Sequence, residues 1–266
     1  MKKALRKFVS LLLIAIFCLT FASCGKKKQD TAPSTVTVTI PEGYTVIQIA
    51  DLLDSKKVCD KEQFLTLCNT VPDEYSSMFK GVKKEGKLFL MEGYLFPDTY
   101  EFYIGEKPEM ALSRFLENTK SKIGNNTDYE DIVLASVIQA ECSVPEEMPK
   151  VSAVFHNRLK RPENFPYIGS DVTRQYIEKN KGYIEEKGLD YPLLFANYCT
   201  NDSYTGKTKG LPIGPVCNPG IEALNAAKNP AENDALYFFT SPDGKFHYNH
   251  SNSAHSSEYR KLNGNN

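Results

Sequence analysis

A glutamate stands where helical spacing calls for an apolar side chain. In Asp131-Ile132-Val133-Leu134-Ala135-Ser136-Val137-Ile138-Gln139-Ala140-Glu141-Cys142, the positions three, four and seven residues beyond Leu134 are Val137, Ile138 and Glu141. A carboxyl held against apolar neighbours resists ionisation, so its pKa rises toward the range where a group can give and take protons near neutrality. Glu141 is therefore a candidate general acid. The alternative is an acid at a helix end that has already turned to solvent.

Other groups could assist it. Arg158 lies seven positions beyond Val151, on the apolar side formed by Val151, Val154, Phe155 and Leu159. A buried guanidinium needs a carboxylate. Pairing with Glu141 would depress the acid's pKa, so the expected partner is Asp171 or substrate; the alternative is an arginine that snorkels to solvent. Asp171 is also the candidate second carboxylate of a hydrolase, although loop acids often cap turns instead. Gly210-Leu211-Pro212-Ile213-Gly214-Pro215 has the composition of a rigid, exposed loop, leading to Asn218 as a helix N-cap and Pro219 at the first helical position. Such a loop suits a cleft wall that offers backbone donors to sugar hydroxyls, unless Pro and Gly simply shape the turn. His247, His250 and His255 lack further ligands between them, and no C-x-x-C occurs, so neither a metal nor a cofactor is expected.

These groups must be positioned by a body of α+β class. Val36-Thr37-Val38-Thr39-Ile40 alternates as a strand, and Pro41-Glu42-Gly43 turns the chain. Residues 45–53 form a predicted helix with Thr45 as N-cap, and residues 61–68 a second. This strand-helix-helix order resembles a LysM-like subdomain, spanning residues 35–104 with its connecting strands at 87–90 and 93–102. Helices are predicted over 108–122, 131–142 and 149–160, in a larger mixed α/β catalytic domain over residues 105–266.

Residues 1–23 have the pattern of a secretory signal: basic Lys2, Lys3, Arg6 and Lys7, then an apolar run from Phe8 to Phe21. Ala22-Ser23-Cys24-Gly25 resembles a bacterial lipobox, which implies cleavage before Cys24 and a lipid on its thiol, although Phe21 replaces the usual leucine. An extracytoplasmic, membrane-anchored protein is expected, with residues 24–34 as a tether. The alternative, a single transmembrane helix, has fewer apolar residues than the roughly 20 a bilayer requires. The net charge of −1, with both signs interspersed, gives no footprint for nucleic acid. Of seven cysteines, Cys59, Cys68, Cys142, Cys199 and Cys217 fall in the mature body. Cys59 and Cys68 could bridge in an oxidising exterior, but free buried thiols are the simpler expectation.

From about Glu92 onward several stretches, in order, resemble the endolytic murein transglycosylase family, also called YceG-like. They are Glu92-Gly93-Tyr94-Leu95-Phe96-Pro97-Asp98-Thr99-Tyr100, Leu134 to Glu141, Lys150-Val151-Ser152-Ala153-Val154-Phe155-His156-Asn157-Arg158-Leu159 and Ser170-Asp171-Val172-Thr173. Gly210 to Gly220, Ala231 to Phe239 and the Gly244 to His255 tail complete the set. The resemblance implies cleavage of nascent peptidoglycan between N-acetylmuramic acid (MurNAc) and N-acetylglucosamine (GlcNAc), leaving 1,6-anhydro ends and terminating strand growth. It makes Glu141, which closes the A-S-x-x-x-x-E stretch, the catalytic acid/base. Its matching stretches offer Asn157, Arg158, Ser170, Asp171, Thr173, Gly214, Asn218, Tyr237 and His247 as substrate contacts, and penicillin-binding proteins as partners. Two departures stand out: Gln139 replaces a common second glutamate, and residues 201–209 alter a sugar-facing run. A non-catalytic wall-binding lipoprotein and a muramidase-type hydrolase are the competing readings.

Overall fold

Two short antiparallel strand pairs frame a helical body in the computed structural model, which describes residues 34–124, 127–201, 203–204 and 208–264. The leader, Cys24 and the tether, together with Asp202 and Thr205-Gly206-Lys207 of the altered loop, lie outside the described residues. Among the described residues, no helix is long and apolar enough to cross a membrane.

Strand β1 (Thr35–Thr39) pairs antiparallel with β2 (Thr99–Tyr103), with Thr35 opposite Tyr103 and Thr39 opposite Thr99. Between them run α1 (Val46–Ser55) and α2 (Lys61–Leu67). The expected Thr45 cap is present as a capping box: Thr45 Oγ1 accepts from Gln48 N and Gln48 Oε1 accepts from Thr45 N. Asp60 caps α2 in the same way, accepting from Gln63 N at 2.9 Å.

Residues 87–98 do not form the expected strands before β2. They cross the interior as irregular chain, with Leu88, Phe89, Met91, Tyr94 and Leu95 buried. Side chains satisfy the backbone there in place of a neighbouring strand: Leu95 N donates to Asn218 Oδ1 at 2.8 Å and Phe96 N to Thr119 Oγ1 at 3.3 Å. Gly93 has φ +86°, and a Cβ would lie 2.7 Å from Pro215 Cγ, so the chain passes where only glycine fits.

Helix α3 (Pro108–Ile123) packs on α2 through Phe115, which meets Phe64 edge to face. Helix α4 (Tyr129–Glu141) is the centre of the body, where every residue from Ile132 to Ile138 is buried. A helix apolar on nearly all sides is a core helix rather than a surface one. Around it lie α5 (Met148–Leu159), α6 (Asp171–Lys179) and α9 (Ile221–Lys228), with α7 (Lys181–Glu186) and α8 (Tyr191–Tyr198) beyond α6. The hairpin β3 (Tyr237–Thr240) and β4 (Phe246–Asn249) and helix α10 (Asn252–Asn263) close the chain. Cys59, Cys68, Cys142 and Cys217 are free and buried, and Cys199 is buried as well.

Candidate active site

Glu141 is the last residue of α4; the chain turns to extended geometry at Cys142, with φ −141° and ψ 121°. It is a helix-end acid, yet it points inward and stays only partly exposed. Burial raises its pKa above the usual carboxylate range. A hydrogen bond from Ser170 opposes that rise, Asp171 adds to it by like charge, and the Arg158 charge opposes it. Ser170 Oγ donates to Glu141 Oε1 at 2.6 Å, the length of a bond to an ionised acceptor. Ser170 stands at the N-cap position of α6, but its hydroxyl makes no capping bond and serves the glutamate instead. Neighbouring threonines fix it. Thr173 Oγ1 donates to Ser170 O at 2.8 Å and lies 3.0 Å from Thr200 Oγ1, while Gly169 N donates to Thr200 O.

Arg158 is 9% exposed and does not reach solvent. Its expected carboxylate partner is absent: Nε donates to Leu236 O at 2.7 Å and a terminal nitrogen donates to Ile168 O. The guanidinium lies between the rings of Phe155, Phe165 and Tyr237. Carbonyl dipoles and ring faces thus hold it, and among the described residues no acid pairs with it. Burial lowers its pKa to about 10, against the raising effect of Tyr237 and Glu141. Asp171 accepts from Asn201 Nδ2 at 2.6 Å and lies 3.7 Å from Arg174 Nε.

Hollows flank the Glu141–Ser170 pair. One, of about 540 Å³, is lined by Arg158, Phe165, Tyr167, Gly169, Tyr237 and His255, with Asn164, Asn201 and Asn252 among its polar groups. Gly169 adjoins Ser170 in sequence and the Arg158 charge acts on Glu141, so this hollow lies near the acid, which does not itself line it. Tyr237 is packed edge-on to Phe165 at 5.9 Å and beside His255 at 5.5 Å. A second hollow, of about 370 Å³, includes Ala140, next to Glu141, and Val172, next to Asp171.

Of the other expected contacts, several are spent on the fold. Asn157 Nδ2 donates to Asn233 O and Ala235 O, pinning the loop before β3. Thr173 is buried in the threonine relay. No residue of the Gly210–Pro215 loop is exposed, with Pro212, Gly214 and Pro215 buried, and a Cβ on Gly214 would meet Tyr198 and Tyr129 hydroxyls at 3.0 and 3.1 Å. Asn218 is not a cap: Gly220 takes that position, and Asn218 is 0% exposed. Its Oδ1 accepts from Leu95 N, and its Nδ2 donates to Tyr44 O and Glu92 Oε1, so the three bonds of a buried amide outcompete capping. Pro219 precedes the helix. His247 stacks on Phe239 and bonds Ser241 Oγ and Glu258 Oε1, a structural role in the hairpin. Gln139 Oε1 accepts from Gly220 N and aligns the start of α9. Among the described residues, no group of three His, Cys, Asp or Glu side chains could hold a metal ion.

Sequence reasoning missed Glu92 as part of this framework. Fully buried, it accepts from Val46 N at 3.0 Å, Asn218 Nδ2 at 3.0 Å and Tyr176 OH at 2.7 Å. The signal was available, since Leu88-Phe89-Leu90-Met91-Glu92 sets an acid at the end of an apolar run just as the α4 helix does. The wall residues Asn164, Phe165 and Tyr167, on the loop after α5, and His255, on α10, carried no spacing signal for a common site, because only the fold brings these two distant segments together.

This α+β arrangement is shared with a solved YceG-like protein from Listeria monocytogenes, at a TM-score of 0.63 and 24% identity, covering 84% of this chain and 75% of that one. The sequence model of the YceG-like family matches residues 22–261, and the chain belongs to that family. Proteins named endolytic murein transglycosylase are similar to it. One from Streptococcus pneumoniae serotype 2 (strain D39) is 29% identical over 249 residues, 84% of this chain and 44% of that protein. One from Bacillus subtilis (strain 168) is 27% identical over 229 residues, 78% and 60% respectively. The chain thus spans about half the length of these relatives.

Proposed function

We propose that this chain is an endolytic lytic transglycosylase that cuts peptidoglycan strands between MurNAc and GlcNAc, with Glu141 as its acid and base. The observation that carries this reading is a single inward carboxyl of raised pKa, held by Ser170, beside a hollow walled by aromatic rings and side-chain amides. The names of the similar proteins support the substrate and the chemistry.

Protonated Glu141 delivers its proton to the glycosidic oxygen as the bond to the muramic C1 breaks, and the GlcNAc end leaves as an alcohol. The resulting carboxylate accepts the proton of the muramic 6-hydroxyl as O6 bonds to C1. The ring closes as a 1,6-anhydro sugar, Glu141 is again protonated, and no water is consumed. Ser170 stabilises the ionised half of this cycle, because its hydroxyl donates to the carboxylate. Burial stabilises the protonated half. A second carboxyl serves to activate water or to attack C1 itself, and here the muramic 6-hydroxyl takes that part. Asp171, tied to Asn201 and Arg174, acts here on the electrostatics of Glu141 rather than on the bond.

The order β1–α1–α2–β2, with its antiparallel strands, supports residues 35–104 as a LysM-like subdomain and 105–266 as the catalytic domain. The leader pattern supports export, lipidation at Cys24 and residence at the outer face of the membrane, and the family resemblance suggests penicillin-binding proteins as partners. Digesting purified strands and reading the new ends by mass spectrometry tests the reading. Anhydro-muramic ends are expected. Reducing ends would make it a hydrolase, and no cleavage a binding protein. Labelling cells with a fatty-acid analogue tests the anchor, with loss of label expected in Cys24→Ala.

A further inference from the structure

The two hollows beside Glu141 differ in chemistry. The larger offers rings and asparagine amides, which match pyranose faces, hydroxyls and N-acetyl groups. The smaller has an apolar floor that includes Ala140, Val172 and Val216. Its ring, Tyr176, is buried, and the hydroxyl is spent on Glu92. Around that floor stand the amide of Gln175, the ammonium of Lys179, and the amides of Gln48 and Asn180, which keep an NH2 and a C=O respectively because Gln48 Oε1 accepts from Thr45 N and Asn180 Nδ2 donates to Tyr176 O. Lys179 is exposed and has no ion pair among the described residues.

Paired amide donors and acceptors around an apolar floor are what a peptide needs, since each of its units carries one N–H, one C=O and a short side chain. A cation at the rim suits a carboxylate. The site is also preformed. Glu92 ties α1 through Val46 N, α6 through Tyr176, and the chain leading to α9 through Asn218, and these three segments supply walls of the hollow.

We propose that this hollow, between α1 and α6, is a subsite for the peptide stem carried by the muramic residue, with Lys179 receiving a stem carboxylate. The proposal rests on the transglycosylase reading for the sugar at Glu141. The lactyl group that bears the stem is on the same ring as the bond to be cut, so a stem beside a bound MurNAc starts close to Ala140 and Val172. The chain would then favour peptide-bearing strands over stripped ones, and residues of the 35–104 segment, through Gln48, would set that preference.

The experiment has a kinetic arm and a binding arm. In the first, kcat/KM is compared on strands with intact stems and on strands stripped by an amidase. The wild type should prefer intact strands, and Lys179→Glu should lower that preference about tenfold, chiefly through KM. Equal rates on the two substrates, or a proportional fall on both in the variant, overturns the proposal. In the second arm the Glu141→Gln protein is titrated with muramoyl tetrapeptide and with the peptide-free GlcNAc–MurNAc disaccharide by calorimetry. Tighter binding of the muramoyl peptide, weakened by adding Lys179→Glu or Gln175→Ala, supports the subsite; equal binding of both probes sinks it. If the wild type cuts neither strand while the peptide still binds through Lys179, the transglycosylase reading fails and the stem subsite stands.

Discussion

Two glutamates in this chain share a raised pKa and have opposite surroundings. Glu92 is sealed in the core and accepts three hydrogen bonds, from Val46 N, Asn218 and Tyr176. Glu141 sits at the open end of α4 with one hydroxyl donor and hollows nearby. Burial is the leading cause of the upward shift in both. What separates a structural acid from a reactive one is therefore access and spare valence, not proton affinity. Every donor around Glu92 is committed to holding chain segments together, whereas among the described residues Ser170 alone is recorded donating to Glu141, which on the proposed reading leaves an oxygen for substrate.

The contrast can be broken most severely at Glu141. Glu141→Gln keeps the shape and removes the proton; strand cleavage measured by mass spectrometry should fall by at least about a thousandfold. Thermal unfolding followed by circular dichroism should show an intact fold. If this variant cut strands at near-normal rates, the reactive role would belong elsewhere.

Glu92→Ala should do the reverse, acting first on the fold. It strands a buried N–H, a buried amide and a buried phenol, each worth about 1 to 3 kcal/mol, so a loss of about 3 kcal/mol or more is expected in urea melts. The milder Glu92→Gln separates charge from shape. Burial raises the Glu92 pKa from 4.5 to about 8, so the folded protein holds a proton that the unfolded chain releases across that interval. Wild-type stability should therefore decline as pH rises from about 5 to about 8, and Glu92→Gln should flatten that slope. A wild-type curve with no such slope would remove Glu92 from the account.

Ser170→Ala sharpens the comparison at the other site. Loss of the donor leaves burial less opposed, so the Glu141 pKa should climb, and the limb on which activity falls with rising pH should move to higher pH. A kcat reduction of about tenfold is expected, since the ionised intermediate loses its hydrogen bond. An unshifted pH–rate profile would mean that the 2.6 Å contact has no part in the proton cycle. The smallest effect is assigned to Gln139→Ala, which removes the bond to Gly220 N and should cost about 1 kcal/mol of stability with little change in rate.

Much of the local structure was legible because it is local. The Thr45 cap with Gln48 three residues on, the alternation of β1 and the apolar period of the α4 and α5 segments depend on neighbours within one or two turns. The place of Glu141 at the end of the α4 apolar period was legible for the same reason. Of the strands expected at 87–90 and 93–102 only the end of the second forms, as β2, because apolar content alone does not say whether a neighbouring strand or side chains such as Asn218 and Thr119 will satisfy the backbone. The place of Arg158 on α5 left burial and snorkelling both open, and the acceptors that hold it inside, Ile168 and Leu236, come from outside its helix.

The sequence by itself indicated which groups could do chemistry and where helices α1 to α5 would form: an acid in an apolar period, a capping pair, a leader-like pattern, and ordered family stretches. Only the tertiary structure decided how those groups are employed. Asn218 became a core clamp in place of a helix cap, the Gly210–Pro215 loop turned inward, and Glu92 emerged as the partner of three segments lying between 46 and 218. The physical reason is that helical periodicity is set by contacts a few residues apart, whereas the satisfaction of a buried polar group is set by whatever the folded chain brings within 3 Å of it.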